Sequence, residues 1–244
     1  MIKYNTLVLV SLTAMMMIRV TPVQAEQTLP APLEDALQDA EARSASSEDV
    51  RFYFQRKIVR FGEVFLIKSY NPAGPEGQQW AIAYPDAEKD PAGHRKQVHK
   101  HARKKDGSDL NLLMPPLRAR LADGVTLESE SDDETVYSFK IADEYYVSGE
   151  GKGANIAKYM DGKLAVGKKD GMIHWVHYVA RQSFRPIPIA KVKQFDIYQE
   201  FSPAWYGGPM VKVLEKNKVS GTAIIRKIKF DDVVTNYDFR PIPK

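Results

Sequence analysis

Cysteine is absent from all 244 residues. That absence excludes disulfides, thiol catalysis, thiolate metal sites and a lipid-modified cysteine anchor. Long hydrophobic runs are also lacking. Beyond the first 25 residues nothing approaches the roughly 18 apolar residues a membrane-crossing helix needs. The chain has no G-x-S-x-G elbow and no H-E-x-x-H pair, so the commonest hydrolase signatures are missing. Charge of one sign is missing too: 35 Lys and Arg stand against 31 Asp and Glu. That balance does not suit general nucleic-acid binding.

The N-terminus carries a pattern of its own. Lys3 is followed by an apolar run from Thr6 to Ile18, closed by Arg19, and Val23-Gln24-Ala25 places small residues before a cleavage site. This is the pattern of a secretory signal peptide, with cleavage expected after Ala25. Losing Lys3 and Arg19 with residues 1–25 would take the formal charge from +4 to +2. Export without cysteine points to a bacterial periplasm, since exported eukaryotic domains of this size usually use disulfides.

A flexible leader at 26–32 precedes a short amphipathic helix at 33–45, with Leu33, Ala36, Leu37 and Ala40 at helical spacing. The period then changes to two. Val50, Phe52, Phe54 and Ile58 share one face of a strand; a turn at 60–63, a return strand and a third strand at 78–84 follow. Residues 91–122 read as a helical insertion: a basic helix near Pro91, then a second helix interrupted by Pro115-Pro116. From Val125 onward the chain alternates apolar and polar residues. Turns are expected at 131–133, 161–162, 170–171, 217–218 and 231–232. Phe195, Ile197 and Phe201 share a parity, as do Ile224, Ile228 and Phe230, and Val233, Tyr237 and Phe239. The opposite parity carries Asp196, Glu200, Lys227, Lys229, Asn236 and Asp238. One apolar and one wet face mean an antiparallel meander. The fold class expected is mainly β (α+β): a large curved antiparallel sheet or incomplete β-barrel with a few covering helices, one domain over 33–244.

This element order resembles the periplasmic lipoprotein-carrier superfamily (LolA/LolB-like), whose fold is an incomplete β-barrel with helices in its concave side. The strings IKSYNPAGPEGQQWAI and FSPAWYGGPMVKV also resemble a family of exported bacterial proteins of uncharacterised role. Tyr70, Asn71, Pro72, Pro75, Gly77 and Trp80 match the stretch expected after the first hairpin of that family. The carrier resemblance implies a cavity for acyl chains and carries over no individual residue role.

Candidate sites follow from composition. Leu113, Met114 and Leu117 on the insertion, with Trp175, Tyr178, Trp205 and Tyr206 on the sheet and its loops, are the residues expected to line an apolar or lipid-like ligand if the concave side holds a cavity. The same residues would simply pack if it does not. Arg95, Lys96, Lys100, Arg103, Lys104 and Lys105 form a basic stretch without an acid, either a patch for anionic headgroups or an acidic partner, or a solvated helix face. His94, His99, His101, His174 and His177 lack metal-pair spacing, and no metal or cofactor is expected. GEGKGAN at 149–155 lacks the GK[ST] ending of a phosphate loop. The acids at 128–134 read as a solvated turn. The pentapeptide FRPIP, at 184–188 and 239–243, reads as a strand-ending device used twice, with Arg240 and Lys244 at the second copy free to meet a partner.

The leading expectation is a soluble periplasmic non-catalytic carrier. A protein–protein interaction or envelope-assembly module with a filled core is the second reading, and an unrecognised hydrolase the third. Cavity volume separates the first two: an apolar, solvent-connected space of roughly 300 Å³ or more supports a carrier.

Overall fold

A computed structural model describes residues 29–45, 51–102, 112–121, 124–142, 156–223 and 226–242. The expected signal peptide at 1–25 and the glycine-rich 149–155 lie outside these. Helix α1 (Ala31–Ala45) is followed by β1 (Arg51–Arg60), β2 (Glu63–Tyr70), β3 (Trp80–Tyr84) and helix α2 (Pro91–Ala102). The meander then runs β4 (Thr126–Glu130), β5 (Glu134–Lys140), β6 (Met160–Gly167), β7 (Ile173–Ala180), β8 (Phe184–Ile187), β9 (Ala190–Pro203), β10 (Met210–Ala223) and β11 (Arg226–Ile242).

All eleven strands join one antiparallel sheet in the order β3-β2-β1-β11-β10-β9-β7-β6-β5-β4, with β8 beside β9. It is mainly β, and the sheet is not closed into a barrel. The last strand therefore lies beside the first, in the middle of the sheet. The β1–β2 hairpin turns through Phe61 (φ 51°) and Gly62 (φ 84°), both left-handed as a two-residue primed turn requires.

Two apolar clusters occupy one face. The larger joins Leu33, Leu37, Tyr137, Leu164, Val176, Tyr178 and Phe201 under α1. The i, i+3, i+4, i+7 stripe Leu33, Ala36, Leu37, Ala40 is the buried side of α1, and each fully buried leucine contributes about 2 kcal/mol. The smaller cluster joins Phe54, Tyr70, Trp80, Leu112 and Val211, with Phe52 and Phe239 against it.

Between them the same face is polar, which the parity reading did not anticipate. Asn236 is buried, donating through Nδ2 to Lys212 O (2.8 Å) and accepting from Arg56 Nε (2.6 Å). Tyr237, expected on the apolar face, is exposed. The cause is a bulge: the β1–β11 register slips between Tyr53/Gln55, and Asp238 takes φ 57° opposite the slip. One extra residue exchanges the two faces.

Three further expectations are corrected. The second helix of the insertion does not form among the described residues. Leu113 instead bridges Val211, Met114 N donates to Met210 O (2.9 Å) and Lys212 N to Leu112 O (2.7 Å). Proline disfavours helix in the residue before it and has no N–H to give, so Pro115-Pro116 keeps this strap extended up to a short 3-10 turn at Arg118–Arg120. Second, no turn occurs at 161–162, which lies inside β6 opposite Lys140 and Phe139, nor at the pairs 217–218 and 231–232. These pairs face each other in one continuous ladder, Asn217 opposite Asp232 and Lys218 opposite Asp231. Third, the FRPIP copies do not follow strands but are strand themselves as far as the isoleucine, β8 ending at Ile187 and β11 at Ile242. Phe184–Ile187 is itself β8, paired with β9. Arg240, Pro241 and Ile242 pair with Tyr53, Phe52 and Arg51. The β10 ladder stops at Thr235, so proline sits on a free edge where no ladder bond is lost. Arg240 is held by Asp238 through two 2.7 Å bonds.

Candidate functional site

The strap and α1 lie side by side because charge and apolar packing both hold them. Arg118 forks onto Glu34, Nη1 to Oε2 at 2.7 Å and Nη2 to Oε1 at 2.9 Å, and its Nε reaches Glu41 at 3.1 Å. Hydrogen bonds from Arg118 and then Gln38 hold the Glu34 carboxyl below its ordinary range. Beneath these bonds Met114 and Leu117 are buried in the large cluster.

Between the two segments a solvent-open groove of about 360 Å³ remains. Leu37, Ala40 and Ala45 line it from α1, and Leu113, Met114, Pro115, Pro116 and Leu117 from the strap. Its polar members are Glu41 and Ser44, and the Ser44 hydroxyl donates to Ala40 O (2.9 Å). Leu113 is 37% exposed and forms the lip; Met114 and Leu117 form the floor.

The structure thus brings together three of the seven residues picked from the sequence. The other four lie elsewhere. Tyr178 is fully buried, edge-on to Phe139, with its hydroxyl accepting from Arg120 Nη1 (3.4 Å). Trp205 packs edge-on to Phe52 and lies close over Gly208, while its neighbour Tyr206 is fully exposed. Trp175 lies against Tyr198 and donates Nε1 to Glu134 (3.2 Å).

Trp175 and Tyr198 border a second opening of about 440 Å³, with Asp170, His174, Glu200 and Ser202 among its lining. Burial first, then Glu200, pushes the Tyr198 phenol up to about 12. The opening has no built nucleophile: Ser202 Oγ donates to Pro203 O (3.2 Å), and His174 is held by Asp170 (3.0 Å).

Arg95 and Lys96, with Lys100, are exposed on α2, whose buried side is Gln97 and His101. Arg103, Lys104 and Lys105 lie outside the described residues. His94 reaches Ile82 O (3.3 Å), His101 lies 3.0 Å from Lys68 Nζ, and His177 meets Asp196 (2.9 Å). No group of three metal-ligating side chains occurs among the described residues. The acids after Thr126 are not merely solvated: Glu128, Glu130 and Asp133 pair with Lys163, Lys168 and Lys169.

Sequence reasoning missed the polar patch of the inner face. Glu215 accepts from Gln199 Nε2 (2.9 Å) and Asn217 Nδ2 (2.6 Å) and pairs with the nearly buried Lys212. Burial pushes the Glu215 carboxyl up, but Lys212 and these hydrogen bonds together bring it below its ordinary value. Glu215, the one acid on β10 beside Lys212, Lys216 and Lys218, was the available clue. Compared with known proteins, the chain matches no family model, no curated protein and no solved structure.

Proposed function

We propose that this chain is an exported, non-catalytic binding protein that holds an apolar, lipid-like ligand in the groove between α1 and the 112–121 strap. One observation carries the reading: the groove is open to solvent, lined almost wholly by apolar side chains, and at about 360 Å³ falls within the usual size of ligand sites. Met114 lets the floor adapt to chains of different shape. The sequence motifs of the N-terminus support delivery to the periplasm, with Glu26 as the first residue after cleavage. Among the described residues, no helix is long and apolar enough to cross a membrane.

The test is a titration of the purified protein with a fluorescent fatty acid such as cis-parinaric acid. Saturable binding is expected, weakened at least tenfold by Leu113→Asp, a ~1.4 kcal/mol loss. Leu113 is half out of the core, so this variant keeps the fold. Absence of saturable binding, or binding indifferent to Leu113→Asp, sinks the reading.

The interaction-module alternative draws on a different observation. The concave side under α1 is filled rather than hollow, with Leu33, Leu164, Val176 and Tyr178 fully buried there. On that reading the exposed Arg95, Lys96 and Lys100 of α2 meet an acidic partner.

A further inference from the structure

Two stretches of the chain, 184–195 and 218–230, contain seven Lys or Arg residues and no acid. The sheet brings them to one place. Ile187 pairs with Ala190, Ala190 with Ala223, and Ala223 with Arg226, so the β8–β9 turn lies beside the far end of β10–β11. That corner projects. The β1 ladder on β11 stops at Asp232, and the β7 ladder on β9 stops at Asp196. Residues 226–230 therefore have β10 on one side and nothing of β1 on the other; Asp231, opposite Lys218, is where the β1–β2 turn joins, its carbonyl accepting from Phe61 N (2.8 Å).

This corner is apolar as well as cationic. Ile187, Ile189, Ile228 and Phe230 are 43%, 59%, 36% and 50% exposed. In the β10–β11 register, Ile228 and Phe230 face Gly221 and Val219, and Lys227 and Lys229 face Thr222 and Ser220, the alternate positions. The ribbon thus has an apolar face and a cationic face. None of its cations is paired with a carboxylate among the described residues; Lys229 instead lies over the Phe61 ring at 5.3 Å. At the β4–β6 side the opposite holds, each of Lys163, Lys168 and Lys169 having its own acid.

Unpaired cations crowded together repel one another, and exposed isoleucines beside them gain nothing from water. A surface with anionic phosphates outside and hydrocarbon just beneath satisfies both at once. Nucleic acid would use the cations and leave Ile187 and Ile189 without a role. We propose that this projecting corner docks end-on to the surface of an anionic lipid bilayer. This does not rest on the groove beside α1, which lies on other elements.

The experiment is co-sedimentation of the full chain with vesicles of phosphatidylcholine alone and of phosphatidylcholine with phosphatidylglycerol. Binding is expected only to the anionic vesicles, falling as salt shortens the screening length. Lys227→Glu with Lys229→Glu should weaken it at least about tenfold, because two cations that attract anionic headgroups become two acids that repel them. Ile189→Ser with Phe230→Ser should weaken it several-fold, and Lys163→Glu at the ion-paired side less than twofold. All these side chains are partly or fully exposed, and circular dichroism checks that each variant folds. Equal binding to both vesicle types, or binding unmoved by the paired lysine substitutions, overturns the proposal. So does a chain that binds soluble polyglutamate as tightly as the vesicles and ignores the apolar substitutions, since an acidic protein would then be the partner. Fatty-acid titration of the same variants keeps the two proposals apart, because these substitutions leave the groove intact.

Discussion

Asp238 and Phe61 are the two described residues other than glycine with positive φ, and they do different things. Asp238 tolerates the left-handed region because its short carboxylate is tied down, accepting from Gln55 Nε2 (2.8 Å) and from Arg240. Those bonds hold its carboxyl below the ordinary range, Arg240 first. Replacing it with valine removes both the tether and the tolerance. Urea unfolding should then show a lower midpoint for Asp238→Val than for Asp238→Gly, which keeps the backbone freedom. Equal midpoints would mean the bulge does not need this conformation. Phe61 has no such tether. A phenyl side chain at the first position of a primed turn carries strain that asparagine avoids, so Phe61→Asn should raise stability by about 1 kcal/mol in thermal unfolding. The parity of Tyr237 and Phe239 was legible in the sequence, but the slip between them was not. The letters NYDF mark Asn236 and Asp238 as the residues suited to positive φ, but not which of them takes it, nor that the register slips there.

Among elements, those with strong local periodicity were readable. Helix α1 was expected at 33–45 and spans Ala31–Ala45, because a stripe of four apolar residues at helical spacing has only one way to be buried. Strand β1, expected from Val50 up to a turn at 60–63, spans Arg51–Arg60 for the same reason. The strap was misread because Leu112, Leu113, Met114 and Leu117 also have helical spacing. Two adjacent prolines and the open side of β10 at Val211 decided against it, and the second of these is a tertiary fact. The groove was therefore half legible: its strap residues were named, but its α1 wall was not. Leu37 joins the wall to the core. Leu37→Ala should cost about 3 kcal/mol in urea unfolding, the usual range for emptying a leucine site. A loss below 1 kcal/mol would mean that α1 is not packed as described.

For the whole molecule, the sheet's middle is held by charge as well as by ladder bonds. Glu215 on β10 meets Gln199 on β9 and Lys212 on its own strand, and Arg56 on β1 reaches Asn236 on β11. Because the Glu215 carboxyl is lowered on folding, its contribution is fully present above its ordinary value of 4.5 and is lost as pH falls through the lower folded value. Glu215→Gln should accordingly destabilise the protein by about 3 kcal/mol at neutral pH, leaving Lys212 buried without its charge partner. The penalty should shrink as acid protonates the wild type, so the two stability curves converge at low pH. Parallel curves would show that the pair contributes nothing. The open edges are also managed. The β4 edge, TLESE, is exposed along its whole length and bears two glutamates, which discourages pairing with another sheet.

The place of β11 beside β1 has a kinetic consequence. Gln55 and Asp238, joined by a hydrogen bond, are 183 residues apart in the chain. β1 and the two strands beyond it must wait, without their central neighbour, until β11 has been synthesised. Such long-range closure is slow. Until then the β1 edge stays unpaired while the meander from β4 to β10 forms from neighbouring segments, so for that interval the chain is open to pairing with other chains there.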